Sequence, residues 1–443
     1  MKKEMSIQIG DFEAERFWAG DTLRLPYVNS IQTQRIVLAM DELLFAFCRD
    51  GDLLYTRYPI DASFIDYLND SGWTFIHDSC AHCESVLLND YNTSIFEIFR
   101  LQNNIIENIK AEVSMSPYNI NSHYNRSSIS LRADVTTDAD IVRKVNSKEY
   151  STIFSQNHVA GYQGEIVYSL AMLERSYQRI KHISNKAIIK EPYGVSGKGS
   201  IILDSETKFK RITEQLRKTQ EKTNKYVLFV IEPFHNNKSF DFSSHYYIDK
   251  NGHYSLLCVQ VMNNIELKFS SIRNADASIL RSLDSSNYQT VINKLMQEMF
   301  KFGYFGYVCI DSMMLSDSTI IPIIEINARK SFGYLNYAIR KRIAPNANSE
   351  LSYFNLSLRK HIDFSEIYNC LSKRKILVTK LHPCGILPMS VNTLNANISY
   401  ISNSDNVAFG RFYYCVIYRN DIEYIKYNNE LRKAIESLNM RIL

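Results

Sequence analysis

Residues 187–203 read Ala187-Ile-Ile-Lys190-Glu-Pro192-Tyr-Gly194-Val-Ser196-Gly197-Lys198-Gly199-Ser200-Ile-Ile-Leu203, a glycine-rich turn flanked on each side by an apolar, β-branched run. That pattern predicts a hairpin. A P-loop would need Gly, four residues and then Gly-Lys-Ser/Thr leading into a helix whose amino end faces the anion. Here the residue five before Gly197 is Pro192 and the following segment is strand-like, which excludes it. A glycine hairpin still suits a polyphosphate. Gly194, Gly197 and Gly199 lack a Cβ, so backbone N–H groups can approach oxygens closely, with charge from Lys190 and Lys198. Alone, the stretch equally reads as a surface turn that contains lysine; its meaning depends on a partner elsewhere.

The partner lies downstream, in Tyr304-Phe-Gly-Tyr-Val-Cys-Ile-Asp311-Ser-Met-Met-Leu315 and Thr319-Ile-Ile-Pro-Ile-Ile-Glu325-Ile-Asn327-Ala-Arg329, two β-rich runs joined by Ser316-Asp317-Ser318. A hairpin symmetric about Ser318 sets Asp311 opposite Glu325. Strand alternation then puts Glu325, Asn327 and Arg329 on one face with Asp311 opposing them, and turns Val308, Ile310, Ile324 and Ile326 toward a core. Converging oxygens suit a hard cation such as Mg²⁺, held at about 2.1 Å with water and nucleotide phosphate in the remaining sites. The competing reading is a polar face salt-bridged to Arg329, which leaves facing carboxylates without a counter-ion.

These two elements, in this order and spacing, resemble the ATP-grasp superfamily over roughly residues 139–345. The matching pieces are Ile189-Lys190-Glu-Pro with its glycine loop, Val230-Ile-Glu232-Pro-Phe234, Asp311, and Glu325-Ile-Asn327-Ala-Arg329. The resemblance implies an ATP-grasp fold, two α+β subdomains clamping ATP. It further implies phosphate contacts from Lys190 and the loop residues Ser196, Gly197, Lys198 and Gly199, and an adenine hinge at Glu232 and Phe234. Asn146-Ser-Lys148 resembles the family's Asn/Asp-Lys pair ahead of the small subdomain. Asp241 resembles the acid that meets the ribose, and Lys268 falls where related enzymes place a γ-phosphate lysine. Mg²⁺ or Mn²⁺ would sit on Asp311, Glu325 and Asn327, with Arg329 stabilising charge in transfer. Past Arg329, the Ser331 and Gly333 N–H groups are placed to meet substrate carboxylate or γ-phosphate oxygens, ahead of a basic helix whose face at 340–342 equally reads as solvated.

Length and composition bound the rest. At 443 residues the chain is too long for one ordinary core. A net charge of +4, from 51 basic and 47 acidic residues, is too slight to argue for nucleic acid or membrane partners. No run approaches the ~20 apolar residues of a membrane span, and a cytoplasmic protein is expected. The eight cysteines are scattered, mostly in apolar runs, which fits reduced thiols. Cys80-Ala-His82-Cys83 with His77 lacks a second pair to complete a zinc site.

Residues 1–135 alternate helix and strand signals: a buried helix at 34–47, strands at 52–58 and 73–77, a helix at 62–69 capped by Asp61, and a longer helix at 93–110 before a strand. They predict a small open parallel sheet, with Ser116-Pro-Tyr-Asn-Ile-Asn just past a strand end as a place for substrate contact or an ordinary turn. The ATP-grasp part is expected at 136–365, with a glycine-rich small subdomain at about 139–230 and a metal-binding large subdomain at about 231–365. Helices are read at 165–181 and 287–302, the latter ended by Gly303, and Asn251-Gly252 predicts a type I′ hairpin turn. Residues 366–443, with strands at 375–380 and 410–418 and a final helix, predict a small α+β appendage.

The resemblance implies an ATP-dependent ligase that activates a carboxylate, of an amino acid or peptide, as an acyl phosphate and passes it to an amine. A carrier-protein thiol is the alternative acceptor; phosphoryl transfer to a hydroxyl and nucleotide binding without turnover are the other readings. The front domain and carboxy-terminal extension look most like amino-acid and peptide ligases of natural-product pathways. Oligomeric state is left open, a homodimer included.

Overall fold

The computed structural model describes residues 5–80, 85–101, 113–124, 136–194, 198–401 and 407–443. Three sheets organise them. The first holds β1 (Met5–Ile9), β2 (Leu53–Thr56), β3 (Ile76–Ser79) and β4 (Val113–Pro117), all parallel, in the order β3-β2-β1-β4. This is the open parallel sheet expected of the amino-terminal region. Its central strand β1 was not foreseen: the run Met5-Ser-Ile-Gln-Ile is short, and four of its five residues are buried because neighbours cover both faces. Asp61 caps the helix Ala62–Asp70 through the N–H groups of Ser63 and Phe64. The helix expected over 34–47 divides into an α-helix, Ile31–Leu38, and a tighter 3₁₀ segment, Met40–Phe47, in which Asp41 and Glu42 are buried.

The second sheet is antiparallel and contains β5 (Glu165–Val167), β6 (Ala187–Lys190), β7 (Ser200–Leu203) and β8 (Phe229–Pro233), in the order β5-β8-β6-β7. Strands β6 and β7 form the hairpin expected around the glycine loop. The helix expected from Glu165 starts only at Leu170. Ser169 is its N-cap, accepting from the Met172 N–H, and the residues before it are extended so that β5 can pair with β8.

The third sheet has nine strands: β9 (Lys238–Ile248), β10 (Tyr254–Ile265), β11 (Lys268–Asn274), β12 (Gly306–Leu315), β13 (Ile320–Asn327), β14 (Asn348–Leu358), β15 (Gly385–Pro388), β16 (Ala408–Tyr418) and β17 (Arg441–Ile442). They run β13-β12-β9-β10-β11-β14-β16-β15, with β17 beside β14. The β9–β10 turn is not type I′: only Gly252 takes positive φ, the Gly252 N–H donates to the Asp249 carbonyl, and Asp249 N–H donates to the His253 carbonyl. Those bonds make a type I turn closed by a left-handed glycine. Residues 366–443 have the expected α+β content, yet their strands extend the large sheet rather than forming one of their own. Lys375–Lys380 is not a strand; only Leu377 makes an isolated bridge, to Ile386. One hydrophobic cluster joins Phe45, Phe64 and Trp73 of the front region to Phe364, Tyr413 and Leu431. The two ends of the chain thus share a core, and together they wall one side of the cavity described next.

Candidate active site

Lys190 ends β6, and Glu232 lies on the neighbouring strand β8; their side chains meet at 2.7 Å, with Glu232 Oε1 also accepting from the Tyr162 hydroxyl. Lys148 opens a helix capped by Ser147. Its Nζ reaches the Gly194 carbonyl at 3.4 Å and Glu325 Oε1 at 2.8 Å, so one ammonium bridges the glycine hairpin and the acid hairpin. The preceding Asn146 fixes that geometry by bonding the Ala328 backbone through both its oxygen, 2.9 Å, and its amide nitrogen, 3.3 Å. At the hairpin, Gly199 takes φ +80°, where a Cβ would press on the Glu191 side chain, and Lys198 Nζ pairs with Glu13 Oε1 at 2.5 Å. Ser196 and Gly197 lie outside the described residues.

Asp311 is paired with Glu325 in the β12–β13 register, as a symmetric hairpin requires. Farther out the register slips, Met313 facing Ile321, so β13 carries two extra residues around Pro322, which has no N–H for the ladder. That bulge corrects one expectation: Ile323 enters the core, while Ile324 lines the cavity beside Glu325. Burial, and secondly the facing Glu325, push the Asp311 carboxyl up to about 7. Asn327 donates to Asp311 at 3.0 Å while its oxygen accepts from Arg329 at 3.0 Å, and Arg329 in turn pairs with Glu15 at 2.8 Å. Among the described residues no group of three or more His, Cys, Asp or Glu side chains is placed to hold a metal. What exists is two opposed carboxylates short of positive charge, with an amide alongside. That donor set fits a hard divalent ion that keeps most of its coordination for water and phosphate; half a turn of the Asn327 amide would present oxygen instead of nitrogen to it.

Asp241, on β9, accepts from Lys238 at 2.7 Å and from Asn264 at 2.9 Å. Lys268 begins β11 and is exposed. Ser331 is the N-cap residue of the helix Phe332–Ile343, and Gly333 packs so tightly that a Cβ there would collide with the His245 ring. His245 itself escaped the sequence reading. It lies in the cavity wall between Ser243 Oγ (2.9 Å) and Ser331 Oγ (3.4 Å), with burial pushing its imidazole down to about 3, hence neutral. Its signal was present in Asp241-Phe-Ser243-Ser-His245, polar residues at every second position of a strand. Lys330 was also missed. Burial pushes its ammonium down to about 7, and it bonds Gln8 Oε1, the Ser116 carbonyl and Ser116 Oγ. Ser116 therefore ties the front sheet to the acid hairpin, and it is Tyr118 of that stretch that faces the cavity. The basic end of the helix at 340–342 is elsewhere: Arg342 docks on Gly72, Cys48 and Asp50, two turns beyond the end that meets the cavity.

Of the residues singled out from the sequence, Lys148, Lys190, Lys198, Gly199, Glu232, Phe234, Asp241, Lys268, Asp311, Glu325, Asn327, Arg329, Ser331 and Gly333 line one cavity of about 810 Å³, while Asn146, Ser116 and the helix face at 340–342 do not. Its lining brings Lys190, Glu232 and Phe234 together with Asp311, Glu325 and Arg329, and also includes the aromatic residues Tyr353 of β14 and Phe409 and Tyr413 of β16. Among the described residues no helix is long and apolar enough to cross a membrane.

No family model matches the chain. It is 23% identical over 355 residues, covering 79% of this chain and 78% of the other, to the [butirosin acyl-carrier protein]–L-glutamate ligase of Niallia circulans. Its structure is similar to N5-carboxyaminoimidazole synthetase from Staphylococcus aureus, solved with ADP (TM-score 0.53, 10% identity, 96% of this chain and 98% of that one). It is similar as well to the biotin carboxylase domain of Hydrogenobacter thermophilus 2-oxoglutarate carboxylase, solved with MgADP, ADP and bicarbonate (TM-score 0.53, 12% identity, 99% and 90%). The likeness to these structures runs over nearly the whole length, and the chain has the ATP-grasp fold.

Proposed function

We propose that this protein is an ATP-dependent ligase that converts a substrate carboxylate, of an amino acid or peptide, to an acyl phosphate, releases ADP and phosphate, and joins the acyl group to an amine. The observation that carries the reading is the Asp311–Glu325 pair facing into the same cavity as Lys148 and Lys190. Mg²⁺ held by Asp311 and Glu325, with Asn327 alongside, would neutralise β- and γ-phosphate oxygens. Lys190 binds phosphate at the small sheet, where Glu232 orients it. Lys148 spans the two hairpins and positions one against the other, and Arg329, steadied by Glu15, stabilises negative charge as the phosphoryl group transfers. Phe234 and the backbone of β8 form the adenine wall, Asp241 meets the ribose, and Lys268 reaches the γ-phosphate from the rim. The neutral His245 holds Ser331 at the start of the Phe332–Ile343 helix, whose free N–H groups face substrate oxygens. The reading keeps the division at about 135 and 365, with 366–443 completing the substrate end.

A second reading has a carrier-protein thiol as acceptor, favoured by the Niallia circulans relative, whose name specifies an acyl-carrier protein and glutamate. Assay of ADP and phosphate over panels of carboxylate donors with amines or a carrier protein tests both. Release of both products that requires a donor and an acceptor supports a ligase; ADP without free phosphate points to a kinase, and no ADP under any combination overturns the proposal.

A further inference from the structure

The cations that line the cavity are matched with carboxylates almost one for one. Lys148 pairs with Glu325, Lys190 with Glu232, Lys198 with Glu13, Lys238 with Asp241 and Arg329 with Glu15. Two cavity cations have no such partner among the described residues. Lys268 is exposed at the rim, where water solvates it. Arg411 is different: it projects from β16 into the cavity and is only half-buried, with its guanidinium carbon 4.4 Å from the Tyr353 ring centre.

Its direct hydrogen-bond partners fix the guanidinium but carry no charge. Nε donates to Asn355 Oδ1 at 3.1 Å and Nη1 donates to the Tyr413 hydroxyl at 3.0 Å, both uncharged acceptors. Of five N–H donors, these two bonds leave three available. A planar cation held by a ring and two neutral bonds, with its remaining donors open to a cavity, is a preorganised fork for a carboxylate. The Glu13 carboxylate acts on it only at a distance and is already paired with Lys198, so a bound anion would offset much of the cost of holding this charge out of water.

We propose that Arg411, from the segment beyond the ATP-grasp core, binds a substrate carboxylate that is not the one phosphorylated, so that the substrates include an amino acid or dicarboxylate whose second acid group is read at the Tyr353–Asn355–Tyr413 wall. This rests on the ligase reading for the identity of the ligand, and on the unpaired cation for its chemistry. The carboxylate belongs either to the acyl donor or to the amine acceptor.

The test is calorimetric binding of L-glutamate, L-glutamine, L-isoglutamine and succinate to the full chain in the presence of Mg-AMPPNP, for wild type, Arg411→Met and Asn355→Asp. Asn355→Asp keeps the packing and supplies Arg411 with an internal counter-ion. Both variants should weaken a carboxylate ligand about ten- to a hundredfold, leave nucleotide affinity unchanged, and abolish the preference for a free over an amidated second acid group. Hydroxylamine, which traps an acyl phosphate without the natural acceptor, separates the sources. A raised KM for the donor in hydroxamate formation assigns the site to the donor, and an effect seen only with an amino-acid acceptor assigns it to the acceptor. Equal binding in wild type and both variants, or no carboxylate binding by wild type, overturns the proposal. Failure of the ligase reading registers separately, as no ADP from a protein that still binds carboxylate through Arg411.

Discussion

Lys148 bonds to Glu325 at 2.8 Å, and Asp311, which faces Glu325 across β12 and β13, has among the described residues only the Asn327 amide and the Cys309 thiol as hydrogen-bond donors. The one ammonium at the pair is thus spent on Glu325 and a glycine-loop carbonyl, and the acid pair carries negative charge that the protein does not fully neutralise. Like charges opposed across a ladder are destabilising, so this pair costs stability until a cation joins it.

The first prediction follows directly. Asp311→Asn removes one of two opposed, partly buried charges, so the metal-free variant should melt no lower than wild type, while Mg²⁺ with AMPPNP should raise the melting temperature of wild type and not of the variant. Scanning calorimetry with and without Mg²⁺ is the check. A metal-dependent rise of equal size in both proteins would place the cation elsewhere.

The contact between Gly333 and His245 gives a second. Gly333→Ala forces a methyl group into the imidazole, an overpacking worth about 1–3 kcal/mol, and His245→Ala alone costs a cavity. Combined, the two should be less destabilising than the sum of the singles, by urea denaturation. Additive effects would mean that the residues do not meet.

Glu42 gives a third, remote from the cavity. It is fully buried and accepts the N–H groups of Val391 at 3.0 Å and Asn392 at 2.9 Å, tying the front region to the carboxy-terminal one. Burial pushes its carboxyl from 4.5 to about 8, against the lowering effect of those two bonds. The folded state therefore holds a proton that the unfolded state releases, and this contribution to stability is lost as pH rises from about 4.5 to about 8. Glu42→Gln keeps an acceptor and never charges, so its stability relative to wild type should climb across that window. Glu42→Ala leaves two buried donors unsatisfied and should cost roughly 2–6 kcal/mol. A wild-type-minus-Gln difference that stays flat with pH would show that Glu42 is charged in the folded protein throughout.

Much of the site was legible because it depends on strand alternation and local turns. The Asp311–Glu325 opposition followed from the position of Ser318, and Lys190 from a glycine-rich hairpin between β-branched runs. What was not legible depends on tertiary context. Nothing near Pro322 in the sequence states how many residues its bulge inserts, so Ile324 was assigned to the wrong face. Helical spacing of apolar residues through 165–181 hid a short strand, because β5 is defined by its pairing with the distant β8. β1 is too brief to stand out from composition. His245, Lys330 and Arg411 each gain their meaning from elements many residues away: the Phe332–Ile343 helix, the front sheet, and the neighbouring strand β14. The share of the carboxy-terminal segment in the cavity was invisible for the same reason.

The central claim is that the two hairpins hold a nucleotide and its divalent ion between them. A crystal structure of the full chain with AMPPNP and Mn²⁺, read by anomalous scattering, tests it most directly. The account predicts a manganese peak bound by the Asp311 and Glu325 carboxylates, the triphosphate running toward Lys190, and the adenine against Phe234. A peak away from those two carboxylates, or a nucleotide outside the cavity, would contradict it.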